Sequence, residues 1–321
     1  MDGHSIPAMR AAPFHAGEIA VQERVGVRSQ MEKVGSVVLR DYMPAQHREF
    51  FPLLPTLFAG AEDDEGNLWA SVLWGTPGFI RSPDPVTLRV DARFAEQDPL
   101  AARLKAGMPI GLLGLQFETR RRNRANGVVA AVDERGFDFA LQQSFGNCAK
   151  YIQTREQHPA PVAADPGPVL AGEGALPDAA LALIRKADTF FIASAVDAAH
   201  GAAHGADVSH RGGRPGFVRV DAQGNLAWPD FQGNNFFNTI GNLVADPRAG
   251  LLFIDFERGD LLHLSGRADV VWDGPELERF QGAKRLLRFA SARYLYRPCA
   301  LPLRWSLSEP SPHLAATGTW E

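Results

Sequence analysis

Cysteine is scarce. The two thiols, Cys148 and Cys299, lie far apart in a chain of 321 residues, in no C-x-x-C pair and beside no histidine pair. That excludes a disulfide framework and the usual zinc-site spacings. The simplest expectation is a reduced, cytoplasmic protein in which each thiol is a buried structural residue. Long apolar runs are also missing, so no membrane span is expected. Met1-Asp2-Gly3-His4-Ser5 has no basic region followed by an apolar stretch, so no secretory signal is expected either. Charge is nearly balanced, 33 Lys and Arg against 37 Asp and Glu, and the net value of −4 gives no global electrostatic case for nucleic acid. There is no G-x-S-x-G elbow, no P-loop lysine and no convincing Rossmann fingerprint. No catalytic side chain is named on this basis. His200 and His204 are four apart with no Glu between them and sit among Gly and Ala, which reads as a mobile loop, and no metal is expected.

What is present is a globular composition, 45% hydrophobic and 22% charged, long enough for two ordinary domains. Residues 1–50 read as an N-terminal helical arm, where Ser29-Gln30-Met31-Glu32 has the form of a capping box. From 51 to 158 the texture is that of short strands. Leu57-Phe58-Ala59, the run from Leu68 to Trp74, Val86 to Val90 and Ile110 to Leu115 are separated by Gly, Pro and Asp. Residues 159–177, with Pro159, Pro161, Pro166, Pro168 and Pro177, read as a semi-stiff linker. Residues 178–321 open with a short helix, Asp178 its N-cap, and return to strands at Thr189-Phe190-Phe191-Ile192-Ala193.

The two halves echo one another in order and at nearly constant spacing. Thr56-Leu57-Phe58 parallels Thr189-Phe190-Phe191, and Pro77-Gly78-Phe79 parallels Pro215-Gly216-Phe217. Gly111-Leu112-Leu113 then parallels Gly250-Leu251-Leu252, Phe117-Glu118 parallels Phe256-Glu257, and Asp133 parallels Asp273. Shared turn chemistry could produce any one of these; the ordered set points to a duplicated domain.

Two stretches of the second half carry chemistry. Ser209 to Val220 is basic and glycine-rich, and Arg211, Arg214 and Arg219 offer guanidinium forks suited to phosphate. The bland alternative is a solvated hairpin loop. Trp228 to Leu243 is crowded with amides: Asn234 or Asn235 could cap a helix running to Ala245, and Asn238 and Thr239 would stand at its start. A helix N-terminus presents free amides and partial positive charge to an anion. The aromatic rings here could shield a flat ligand or simply pack a core. The run Arg120-Arg121-Arg122-Asn123-Arg124 could touch nucleic acid or a cofactor phosphate; the more common role of such a run, and the one expected here, is a solvated strand end or turn.

These residues resemble the pyridoxamine 5′-phosphate oxidase-like family of FMN-binding split barrels. In that family a strand starts with Arg and carries Lys five residues later; Arg214 and Arg219 have that spacing around Phe217 and Val218. An aromatic segment lining the flavin is matched by Trp228-Pro229-Asp230-Phe231, and a helix followed by a Leu-Leu-Phe strand is matched from Asp246-Pro247 to Phe253. Asn238-Thr239 replaces the family's basic pair, and no Arg-Leu-Ala-Pro-like ending is present, so oxidation of pyridoxamine phosphate itself is not implied. The resemblance implies a mainly β (α+β) fold of tandem split β-barrels with short helices, six-stranded in type. It also implies an FMN cofactor and an FMN-dependent oxidoreductase acting on a small molecule or a redox partner protein. A flavin carrier is the second option. A haem-binding relative is the third and would need an axial ligand such as His210 or His263. The barrels could pair within the chain or across a homodimer. Glu96 and Asp98 stand where the first half would need a phosphate site and would repel the anion, so a single site is expected. Gln142, Gln143, Ser144 and Asn147 are the first half's candidates to face the flavin.

Overall fold

A computed structural model describes residues 13–159, 167–201 and 203–320. Within the expected arm and linker, residues 1–12 and 160–166 therefore lie outside the described residues, as does Ala202 in the His200–His204 loop. The arm is helical: α1 (Ala16–Arg24), α2 (Arg28–Val38) and α3 (Ala45–Arg48). The box that starts it is not the expected one. His15 Nδ1 accepts from Gly17 N at 3.1 Å, while Glu18 accepts from His15 N at 2.9 Å. Ser29 instead falls inside α2, whose N-cap is Val27 with no side-chain bond.

The first unit has seven strands: β1 (Thr56–Glu62), β2 (Leu68–Trp74), β3 (Ile80–Asp84), β4 (Thr87–Val90), β5 (Pro109–Gln116), β6 (Arg121–Val132) and β7 (Phe137–Gly146). β8 (Thr154–Pro159) follows, and then β9 (Leu170–Glu173), a strand inside the expected linker that pairs with the second sheet. α4 (Asp178–Lys186) begins at Asp178, with Pro177 rather than Asp178 at the cap. The second unit comprises β10 (Thr189–Val196), β11 (Gly205–Gly212), β12 (Arg219–Val220), β13 (Leu226–Phe231), α5 (Asn238–Ala245), β14 (Arg248–Ile254), β15 (Leu261–Val271), α6 (Pro275–Arg279) and β16 (Ala283–Arg297). β17 (Leu303–Glu309) returns to pair with β8.

The duplication is visible in the pairing. The first sheet runs β2-β1-β5-β6-β7-β4-β3, and the second runs β11-β10-β14-β15-β16-β13-β12, the same path strand for strand. The sheets hold seven and eight strands, more than the six-stranded type expected, because the outer strands β3 and β12 and the added β9 join them. Registers agree as well: Gly60 faces Gly111 where Ala193 faces Gly250. A β-bulge precedes Gly127 in β6 and Gly266 in β15. At both glycines an added Cβ would strike a neighbouring carbonyl, that of Ala140 or Ala290, beside the ring of Phe139 or Phe289. The chain is thus mainly β, with tandem split barrels.

The two units meet face to face within the chain. Phe58 and its counterpart Phe191 stack with ring centroids 3.6 Å apart, and Phe117 meets Phe256 edge-on at 5.3 Å. Around them Val72, Leu113, Val208 and Leu252 form one core shared by both units, distinct from each unit's own interior. The approach is close because of glycine. A Cβ at Gly111 would lie 2.6 Å from Asp207 Cα, and one at Gly250 2.5 Å from Trp69 Cα. None of the described helices is long and apolar enough to cross a membrane.

Gly111→Ala and Gly250→Ala should each lower unfolding free energy by about 1–3 kcal/mol, the cost of overpacking a rigid contact. Gly233→Ala, with open space at its Cβ, should stay within about 0.5 kcal/mol of the parent. Urea unfolding checks this, and equal stabilities for all three would contradict the close seam.

Candidate functional site

The seam opens into two adjoining clefts that share Asn238. The first is built where β6 of one unit runs beside β11 of the other. β6 brings Arg122 and Arg124, β11 brings Ser209, His210 and Arg211, and β13 and β16 add Asp230 and Arg285. The end of β7 adds Asn147, and the loop from Gly233 leads to Asn238 and Thr239 at the start of α5. α5 has no side-chain cap. Its N-cap is Phe237, in the left-handed region at φ 64, so Asn234 and Asn235 do not cap it as expected; Asn234 instead accepts from Phe236 N at 3.2 Å. The amides of a first helical turn have no partner within their own helix.

Arg124 organises this cleft. Its Nη1 donates to Asn238 Oδ1 at 3.0 Å and lies 2.9 Å from Asp207 Oδ1, and its Nη2 donates to Ser209 Oγ. Thr239 Oγ1 donates to the same Ser209 Oγ at 2.9 Å. Asp230 accepts from Arg211 at 3.1 Å and from Arg285 at 2.7 Å. Positive charge still exceeds what these acids neutralise. Burial, with Arg124 and Arg211 nearby, lowers the Arg122 guanidinium from its usual value, though an arginine stays charged throughout the neutral and mildly alkaline range. Burial and the same kind of neighbours hold His210 well below its usual value, so its ring is neutral. Four buried donor or ring nitrogens here have no hydrogen-bond partner: Arg124 Nε, Asn147 Nδ2, His210 Nε2 and Arg211 Nε. Buried polar groups are rarely left so.

The second cleft is walled by the arm. Pro13, His15, Glu18, Leu39, Arg40 and Asp41 form one side, and Asn126, Gln142, Gln143, His204, Asp207, Asn238 and Asn242 the other. His15 Nε2 meets Asn242 Oδ1 at 2.8 Å. Because His15 Nδ1 accepts from Gly17 N, the ring proton sits on Nε2. Burial lowers this histidine to about 4. Burial also raises the Glu18 carboxyl to about 8, with Asp207 adding and Arg124 opposing.

Of the residues singled out in the sequence, Arg211, Asp230, Asn234, Asn235, Asn238 and Thr239 line the first cleft, and Gln143 the second. Ser144 is buried behind it, bonded to His47 Nδ1 at 3.0 Å. Phe217, Val218 and Trp228 are core of the second unit, and Pro229 is paired with Leu286 inside the sheet. The expected phosphate pair is displaced: neither Arg214 nor Arg219 lines either cleft. Arg214 donates to the carbonyls of Leu314 and Thr317, and Arg219 pairs with Glu276 and lies over the Trp320 ring at 4.4 Å. Both therefore fasten the C-terminal tail. The reason is strand order: the start of α5 meets β11, where Thr239 bonds Ser209, whereas Arg219 begins β12, two residues at the opposite edge of the same sheet. Sequence reasoning gives Arg285 no part; Arg122 and Arg124 stand in the basic run expected to be solvated in preference to contacting a cofactor phosphate, and Glu18 and His15 of the arm are given no role. Alternation of Arg122 and Arg124 on a strand, which puts both on one face, was the available signal.

The fold's pseudo-symmetry places a second seam opposite the first. Ser71 occupies the register of Ser209, His263 that of Arg124, and Arg297 that of Asn147. There Asp98 accepts from Ser71 Oγ and, at 3.2 Å, from Arg297 Nη1, and all three are buried. His263 is fully buried, its Nδ1 at 3.0 Å from Ala70 O, and it lines neither cleft. Among the described residues no cluster of His, Cys, Asp or Glu is placed to hold a metal ion.

Glu18 binds its proton more tightly folded than unfolded, about 8 against 4.5. Its contribution to stability therefore declines as pH rises from about 4.5 and levels off above about 8. Glu18→Gln should gain on the parent in urea midpoint between pH 5 and pH 9. A gap that does not change with pH would contradict the buried acid.

Several solved structures are distantly similar to part of the chain. HupZ of Group A Streptococcus is 14% identical, covering 43% of this chain and 98% of its own, with a TM-score of 0.28. An FAD binding protein of Mycobacterium smegmatis is 11% identical over 42% and 100%, TM-score 0.28. An FAD-binding protein of Mesorhizobium loti is 12% identical over 40% and 96%, TM-score 0.26. Likenesses this distant add nothing to the site. No curated protein matches the chain. Residues 176–296, within the second half of the chain, match the model of the family described as Pyridoxamine 5′-phosphate oxidase.

Proposed function

We propose that this protein is a cytoplasmic FMN-binding flavoprotein that works as an oxidoreductase on a small molecule or a redox partner protein. The observation that carries the reading is the set of buried, unpartnered nitrogens of Arg124, Asn147, His210 and Arg211 around an uncapped helix start. A phosphate group would supply the missing acceptors and the missing negative charge. The relation of residues 176–296 to an oxidase family whose name carries a phosphate substrate supports it. Arg122, Arg124 and Arg211 would hold the phosphate, with the amides of α5. The adjoining cleft would take the ring, where Asn126, Gln142 and Gln143 offer the neutral donors and acceptors that a flavin edge needs. When bound, the flavin supplies the electron chemistry; the chain's part is to orient it, exclude water and fix its charge.

The phosphate role moves from Arg214 and Arg219 to Arg211 and its neighbours. Arg211→Ala should weaken FMN about tenfold to a hundredfold, the loss of one charge-assisted contact of roughly 1.5–3 kcal/mol. Arg214→Ala and Arg219→Ala should stay within about twofold, since each loses only a tail contact of roughly 0–1 kcal/mol outside the cleft. Quenching of flavin fluorescence measures all three, with FAD as competitor. Unchanged affinity in Arg211→Ala would contradict the assignment. Bleaching of the bound flavin by a reduced substrate under nitrogen would favour an enzyme over a carrier.

A further inference from the structure

Among the described residues the arm occurs once, although the fold is duplicated, and it covers one of the two seams. α1 crosses α5 so closely that a side chain at Gly17 would strike the carbonyl of Gly241. Phe14 packs on Phe236 at 5.7 Å, just before the helix start. Between these contacts Glu18 Oε1 accepts from Asn238 Nδ2, while Asn238 Oδ1 accepts from Arg124 Nη1 at 3.0 Å. An amide held by an acceptor on one side and a donor on the other has a single orientation.

We propose that Glu18 is a positioning residue that completes the anion cleft from outside both barrels. It fixes Asn238, Asn238 fixes the Arg124 guanidinium, and the single arm thereby decides which of the two seams is a site. The inference rests on reading that cleft as an anion site. The opposite seam is the internal control. Among the described residues no arm covers it, His263 stands in the register of Arg124, and Asp98 bonds Arg297, which stands in the register of Asn147.

The arrangement has a charge consequence. Glu18 is faced by His15 from its own turn, Asp207 from β11 and Arg124 from β6. Below about 8 its carboxyl is neutral and serves only to orient Asn238. Once ionised it competes with the ligand for Arg124, so affinity for an anion should fall as pH rises through that value.

The experiment is a titration of the full chain with FMN, and separately with inorganic phosphate, at pH 7 and pH 9. For the parent we expect affinity to fall about fivefold to tenfold over that range, roughly one kcal/mol of added repulsion. Glu18→Gln keeps an acceptor toward Asn238 without the charge; it should bind nearly as well at pH 7 and lose most of the pH dependence. Glu18→Ala should bind about tenfold more weakly than the parent at pH 7 and lose little more by pH 9, where the parent falls to meet it. The inference is overturned if Glu18→Ala binds like the parent at pH 7, or if Glu18→Gln keeps the parent's pH profile. The second readout decides the matter even where the alanine variant does not fold. A parent that takes phosphate but not FMN would defeat the flavin reading alone, and the phosphate titrations then decide the role of Glu18 by the same criteria.

Discussion

Everything in this molecule depends on how closely the two sheets approach. Gly111 and Gly250 remove the side chains that would hold β5 and β14 away from the other unit, and the Phe58–Phe191 stack fills the centre of the contact. The apolar residues of the seam are as buried as those of either unit's interior, so the seam behaves as core rather than as a surface at which two domains touch. Only at that distance can β6 place Arg124 against Ser209 and Asp207 of β11. The site is therefore a product of the interface. Neither barrel carries it alone.

Duplication creates two such seams, and divergence has treated them in opposite ways. At one, Asn147, Arg124 and Arg211 leave buried nitrogens without acceptors beside a helix start. At the other, Arg297, Ser71 and His263 stand in the registers of Asn147, Ser209 and Arg124; Asp98 takes the serine hydroxyl and one Nη of the arginine from within the chain, while Arg297 Nε and His263 Nε2 stay unpartnered. A buried ion pair of that kind is weak evidence for stability. Its effect here is to occupy the space. The same acid was read in the sequence as a repulsive group facing an incoming phosphate; in the structure it works as a plug.

The strands were legible because Gly, Pro and Asp punctuate them, and β2 falls on the residues expected for it, Leu68–Trp74. The repeat was legible because glycine spacing follows register, and register cannot drift when a glycine is needed at the seam. The choice of arginines was not legible. A basic run is usually solvated, and Arg124 is buried, with Arg122 half-buried beside it, against β11 of the other unit. Arg214 and Arg219 had the expected spacing, yet whether they belong to the strand beside α5 or to the edge is set by pairing. The arm's contribution was equally hidden, since the bond from Asn238 to Glu18 spans most of the chain.

The central claim is that one seam binds and the other is filled, and binding stoichiometry tests it most directly. Calorimetric titration of the full chain with FMN should saturate at one equivalent per chain. Saturation at two equivalents would show that the Asp98–Arg297 seam is open, and would contradict the account.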